Sequence, residues 1–293
     1  VVKLGVLPPY RRSIAADPEW IGAFAQHADD AGFESLLAVE HVVVQEGYAS
    51  RYPYSDTGRM PLPDDCDIPD PLDLLAWLAA RTQRIRLGTG ILVLPEHHPL
   101  QLAKRVATID RLSGGRVFLG VGVGWMREEL EAMGIDPDTR GARTDECIDA
   151  LRTVWRDEVA SHSGEHFAFA GVRSHPKPAQ PTVPILVGGH AAAAARRAGR
   201  MGDGFFPLGL AGELLDRRLA EVAEAARASG RDPADVPLTL GGLLGADTSG
   251  PAIEEARRRG AERVVLSTRS TDLDQLRRDL DHAVSLVEGR SLN

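Results

Sequence analysis

Glu40 and His41 stand side by side where a short apolar run ends, and a histidine next to a carboxylate can hold a proton donor or acceptor near neutral pH. Away from an active site the same pair reads as a satisfied, hydrogen-bonded histidine with its carboxylate on a helix. Gly188 and Gly189, followed by His190, separate another apolar run from an Ala-rich stretch beginning at Ala191. Backbone N–H groups at such a helix start bind phosphate, with the helix dipole contributing about 0.3 to 1 kcal/mol at an exposed site. A tight turn that needs glycine accounts for these residues equally well. Arg269 follows the last apolar run and could meet an anion or pair with Asp272. His97 and His98 precede Pro99, where a capping or loop role is expected.

Gly120, Gly122 and Gly124 occupy alternate positions of one apolar run, with Trp125 next. Alternate residues of a strand share a face, so three side chains are missing from one side, as if something flat or bulky packed there. The spacing is G-x-G-x-G and not the dinucleotide fingerprint G-x-G-x-x-G. The sequence contains no HExxH, P-loop or G-x-S-x-G elbow, and Cys66 and Cys147 lie too far apart for a metal-ligand pair, so no metal site is expected.

The elements that must position these residues alternate. Strands are predicted at Lys3 to Leu7, Ser35 to Val39, Ile85 to Leu94, Val117 to Val123, Val183 to Val187, Gly204 to Leu208, Pro237 to Leu244 and Arg263 to Ser267. Each is followed by helical periodicity, such as Leu102, Val106, Ile109 and Leu112, and the last helix is expected to be capped by Thr271 with Asp274. Eight β-α units in series predict a closed (β/α)8 TIM barrel over residues 1–293 as a single domain, with its site at the C-terminal ends of the strands. Two insertions interrupt it. Val42 to Asp70, with Tyr48, Tyr52 and Tyr54, is too long for a plain connection and reads as a lid or substrate loop; the stretch from Gly134 to Thr182 is the second, between the fourth and fifth strands.

An apolar fraction of 43% over 293 residues is enough for one full core, and a net charge of -8 argues against nucleic-acid binding. No segment approaches the roughly 20 apolar residues of a membrane span. With no basic leader at the N-terminus and cysteines read as reduced, a cytoplasmic protein is expected.

Three stretches together resemble a known family: AVEHV, the long run GTGILVLPEHHPLQLAKRVATIDRLSGGRVFLGVGVGWMREELEAMG, and VPILVGGHAAAAARRAGRMGDGFFPLG. They are similar to the luciferase-like flavin and deazaflavin oxidoreductases, and most to those using coenzyme F420. The resemblance implies a barrel that lays a deazaflavin ring across its mouth. Thr89, Gly90, Ile91 and Leu92 would form a bulge behind the ring, with a cis peptide at Gly90–Ile91, and Gly122, Gly124 and Trp125 would line the ring and its ribityl chain. Gly188, Gly189 and His190 would take the phosphate, and His41 would be the general acid or base, held by Glu40 or a backbone group. Tyr48 and Arg269 are the candidates for contact with substrate or anion, and the resemblance suggests a homodimer. Two departures stand out. Members often carry Ser or Thr after the glycine pair, where this chain has His190 and Ala191, and some have an acid where Trp125 stands.

The implied activity is hydride transfer between F420 and a small organic molecule. The alternatives are an FMN monooxygenase fed with reduced flavin, a flavin-binding relative without catalysis, and an unrelated barrel lyase or aldolase. No lysine falls at a predicted strand end, which disfavours Schiff-base chemistry.

Overall fold

Strands and helices alternate along residues 1–288, the part of the chain that the structure, a computed structural model, describes. The first half holds β1 (Lys3–Leu7), α1 (Pro18–Ala31), β2 (Ser35–Ala38), α2 (Pro71–Ala79), β3 (Arg86–Thr89), β4 (Leu92–Val93), α3 (Pro99–Leu112), β5 (Val117–Gly122), α4 (Arg127–Ala132) and α5 (Arg140–Arg156). There follow β6 (Ala160–Ser163), β7 (Ala168–Val172), β8 (Ile185–Gly188), α6 (Ala192–Met201), β9 (Gly204–Phe206), α7 (Gly212–Ala228), β10 (Thr239–Leu243), α8 (Ser249–Arg258), β11 (Arg263–Ser267) and α9 (Leu273–Glu288).

Local chemistry sets the helix ends. Asp17 accepts from the Glu19 and Trp20 amides at 3.0 Å, Pro18 follows, and Gly32 closes α1 in the left-handed region at φ 93°. Asp70 caps α2 in the same way before Pro71. The final helix departs from expectation: Asp272, not Thr271, receives the Gln275 amide at 3.0 Å.

The main strands pair in parallel in the order β10, β11, β1, β2, β3, β5, β8, β9. A further parallel bridge, Phe205 to Leu238, brings β9 beside β10 and closes the ring. Inside it, Leu37, Phe118, Leu186, Phe206 and Val265 pack into an apolar layer, with Leu7 and Ile91 half-buried against them. The larger core lies between strands and outer helices, where burying each Leu, Ile or Phe contributes about 1.5 to 3 kcal/mol.

The second insertion is smaller than expected. Ile148, Leu151, Val154 and Trp155 of α5 are buried in the main core, so that helix is the regular partner of β5. Within Gly134 to Thr182 the added piece is the antiparallel hairpin β6–β7, and α4 is a further addition ahead of that stretch. Among the described residues no helix is long and apolar enough to cross a membrane.

Candidate active site

At the C-terminal end of β3 the register shifts by one residue. Gly88 faces Phe118 and Leu92 faces Val121, so Thr89, Gly90 and Ile91 stand opposite only Leu119 and Gly120. The Gly90–Ile91 peptide is cis, as the resemblance implied. The Thr89 hydroxyl donates to the Gly120 carbonyl at 2.7 Å and accepts from its amide at 3.0 Å, and the Gly90 amide donates to Ala38. These bonds fasten the bulge to both neighbours.

The bulge also accounts for much of the glycine row, and here the sequence reading needs correction. A Cβ on Gly120 would lie 2.2 Å from the Thr89 carbonyl oxygen, one on Gly122 2.6 Å from Ile91 Cδ1, and one on Gly188 2.8 Å from Ile91 Cγ2. The room in front of these glycines is filled by the chain's own bulge, so the surface that reaches the mouth is Ile91 rather than bare backbone. Gly124, at φ 80°, turns the chain out of β5 against Val93 and Leu130.

Glu40 and His41 do not pair with each other. Glu40, 5% exposed, accepts from the Val93 amide at 2.5 Å and from His97 Nε2 at 2.9 Å. His41 Nδ1 is 2.7 Å from Glu129 Oε2 on α4, while Glu129 Oε1 accepts from the Val42 and Val43 amides at 2.7 and 3.3 Å. Successive residues leaving a strand point apart, which is why the neighbours find different partners. His97 therefore belongs to this cluster and not to a loop role, whereas His98 does cap α3, its Nδ1 accepting from Leu100 at 3.3 Å.

On the other ring nitrogen, His41 Nε2 receives the Trp125 indole N–H at 3.4 Å. A donor on that side and an acceptor carboxylate on the other assign a neutral imidazole protonated at Nδ1.

Glu96 ends the short turn after β4 with both carboxyl oxygens buried and no protein donor within reach. Burial, and then the nearby charges of Glu129 and Glu40, push its carboxyl up to about 9. A carboxyl in such surroundings is easier to protonate than an ordinary glutamate.

The loop from Val42 to Asp70 is strapped across this rim. Glu128, beside Glu129, accepts from the Ala49 and Ser50 amides at 2.7 and 3.0 Å. Burial raises its carboxyl, but hydrogen bonds from Ser50 and from these amides outweigh it and hold the group down at about 2. Tyr48 and Tyr52 pack edge-on against Trp125, and Tyr54 against His190, whose Nδ1 lies 3.4 Å from the tyrosine oxygen. Tyr48 itself is 3% exposed, accepts from the Met60 amide, and has Arg59 over its ring, so it holds the loop together instead of facing a substrate.

Gly189 turns at φ 119°, and no side chain caps α6, so its first amides are left for another acceptor. Arg269 is exposed beyond β11, while Asp272 is engaged in capping α9. Sequence reading passed over Glu96, Glu128 and Glu129, and gave His97 a capping or loop role. Its usable signal was two adjacent acids on the first helical turn after the last strand-end residue, Trp125.

The family profile described as luciferase-like monooxygenase matches residues 3–285. An uncharacterized protein of Mycobacterium tuberculosis is 39% identical over 168 residues, 57% of this chain and 59% of that protein, so the chain matches less than two thirds of this relative's length. The F420-dependent glucose-6-phosphate dehydrogenase of Segniliparus rotundus is 38% identical over 168 residues, 54% of this chain and 50% of the enzyme. Among solved structures, an F420-dependent secondary alcohol dehydrogenase in complex with an F420-acetone adduct superposes with a TM-score of 0.80 at 17% identity, over 99% of both chains, a likeness of fold.

Proposed function

Because the chain belongs to the luciferase-like monooxygenase family, we propose that it transfers a hydride between coenzyme F420 and a small organic substrate at the C-terminal mouth of its barrel. The observation that carries this reading is His41, whose Nδ1 is fixed by Glu129 while Nε2 keeps only the long bond from Trp125. A base is thereby oriented with its lone pair weakly engaged, beside the bulge of Thr89 to Leu92.

The residues present fit a planar redox ring carrying an anionic tail. Ile91 and Leu7 offer half-exposed apolar surface above the interior layer, and Trp125 stands at the edge. Gly188, Gly189 and the uncapped start of α6 offer amides to a phosphate, with His190 alongside. When bound, the deazaflavin supplies the acceptor or donor of the hydride. The protein's own part is to orient the substrate and handle the proton. His41 Nε2 takes the proton of a substrate hydroxyl as the hydride leaves its carbon, and Glu129 stabilises the resulting imidazolium through Nδ1. In the reverse direction the imidazolium returns that proton to a carbonyl oxygen. The Tyr52 and Tyr54 side of the loop excludes water from the rim.

The F420-dependent relatives support the deazaflavin; a Type II Baeyer-Villiger monooxygenase of similar fold is solved in complex with FMN. The test is to supply oxidised F420 with a panel of secondary alcohols and sugar phosphates, isopropanol and glucose 6-phosphate among them, and follow loss of the cofactor's visible absorbance. Turnover with at least one class is expected. Oxygen consumption with reduced FMN, and none of the former, would establish the monooxygenase reading instead.

A further inference from the structure

Behind His41 lies a layer of three carboxyl groups, contributed by the end of β2, the turn after β4 and the first turn of α4. Two of them are surrounded by donors. Glu40 accepts from an amide and from His97, and Glu129 accepts from two amides and from His41. Both are therefore anchored as carboxylates. The third, Glu96, has two buried oxygens and no protein donor. Arg143 of α5, which reaches the adjoining Pro95, does not serve it: its Nε donates to the Pro95 carbonyl at 2.9 Å and its guanidinium lies over the Phe167 ring. His98, next but one in the chain, turns its Nδ1 to the Leu100 amide. Among the described residues no group of three or more His, Cys, Asp and Glu side chains is arranged to hold a metal ion.

A bare carboxylate buried beside two others is the least favourable way to place a third negative charge; a neutral carboxylic acid removes the conflict. We propose that Glu96 is a positioning residue that keeps its carboxyl proton at neutral pH and so holds the layer behind His41 at two negative charges rather than three. Each histidine then faces a single carboxylate with a defined ring orientation. Loss of the Glu96 proton adds a charge to the layer, which favours the imidazolium form over the neutral base and alters the fit of both pairs. The effect on turnover rests on the hydride-transfer reading, but the protonation state of Glu96 does not.

The test has two arms for that reason. Infrared difference spectra between the wild-type protein and Glu96→Gln, taken without cofactor, are expected to show a protonated-carboxyl stretch at pH 7 that belongs to Glu96 and fades as pH rises through about 9. Carbon-13 NMR of glutamate-labelled wild-type protein reads the same titration if the variant fails to fold. Absence of a protonated glutamate at pH 7 in both measurements overturns the proposal whatever the enzyme does. In the second arm, log(kcat/KM) with F420 and whichever alcohol or sugar phosphate of the panel is turned over is expected to break near pH 9 in the wild type and to lose that break in Glu96→Gln. Superimposable pH profiles overturn the positioning role even if the proton is found. Failure of every panel substrate counts against the hydride-transfer reading alone and leaves the spectroscopic result to decide the state of Glu96.

Discussion

The two ends of the barrel carry similar numbers of buried acids and use them in opposite ways. At the N-terminal end, Glu34 receives Arg263 through two bonds of 2.7 and 2.8 Å, and both Arg263 and Arg86 lie over the Phe118 ring that plugs the interior. Asp29 and Asp110 there are filled by the amides of Gln83, Ile85 and Ala179 at 2.7 Å each. At the C-terminal end the acids face histidines, loop amides and one another. Arginine at the floor locks the ring; histidine at the rim leaves a proton that can move.

This contrast can be broken most sharply at His41. Replacing it with Ala is expected to lower turnover of a panel substrate by about 10²- to 10⁴-fold, the usual contribution of general acid–base catalysis, with little change in Tm; a loss of stability without loss of rate would make the rim structural. Arg263→Met should do the reverse. Its side chain is 4% exposed, so removing it takes two charge-assisted bonds from Glu34, which keeps Arg86 at 3.7 Å, and is expected to lower stability by about 1.5 to 3 kcal/mol in denaturant melts. Next comes Gly122→Ala, whose Cβ must displace Ile91 and is expected to cost about 1 to 3 kcal/mol, with weakened cofactor binding read in the same preparation.

The two ends also differ in the pH dependence of stability. Burial raises the Glu34 carboxyl, but Arg263 and Arg86 outweigh it and hold it below its ordinary 4.5. Its contribution is therefore complete above pH 4.5 and is lost as pH falls through the folded value. Glu96 runs the other way. Between pH 4.5 and about 9 the folded state holds a proton that the unfolded state has released, so stability declines as pH rises across that window. Thermal melts across pH should show Glu34→Gln flattening the acid limb and Glu96→Gln the alkaline one; no change in either limb would remove the contrast.

The floor and the alternation of elements were legible because they rest on local signals: Asp-Pro helix starts, buried apolar runs, and a glycine past the end of α1. The site was legible only as a place. His41 and the bulge lie in segments that the strand order brings to one rim, yet the partner of His41 comes from a helix almost ninety positions later in the chain, and spacing carries no record of that. Glu40 was misassigned because adjacency in sequence was taken for adjacency of side chains, while residues leaving a strand diverge. The glycines at 120 and 122 were read correctly as cleared space but given the wrong occupant, since a one-residue register shift in the neighbouring strand cannot be seen in composition. Tyr48 looked like a ligand contact for want of any sign that Met60 and Arg59 would enclose it.

Whether the rim seats a deazaflavin is tested most directly by equilibrium titration of the protein with F420 and FMN, repeated with Ile91→Asp and His41→Ala. Tight binding of F420 that is kept in His41→Ala and abolished in Ile91→Asp is the expected result, since a charge at Ile91 would meet the apolar face of the ring. Binding of FMN alone, or F420 binding indifferent to Ile91, would contradict it.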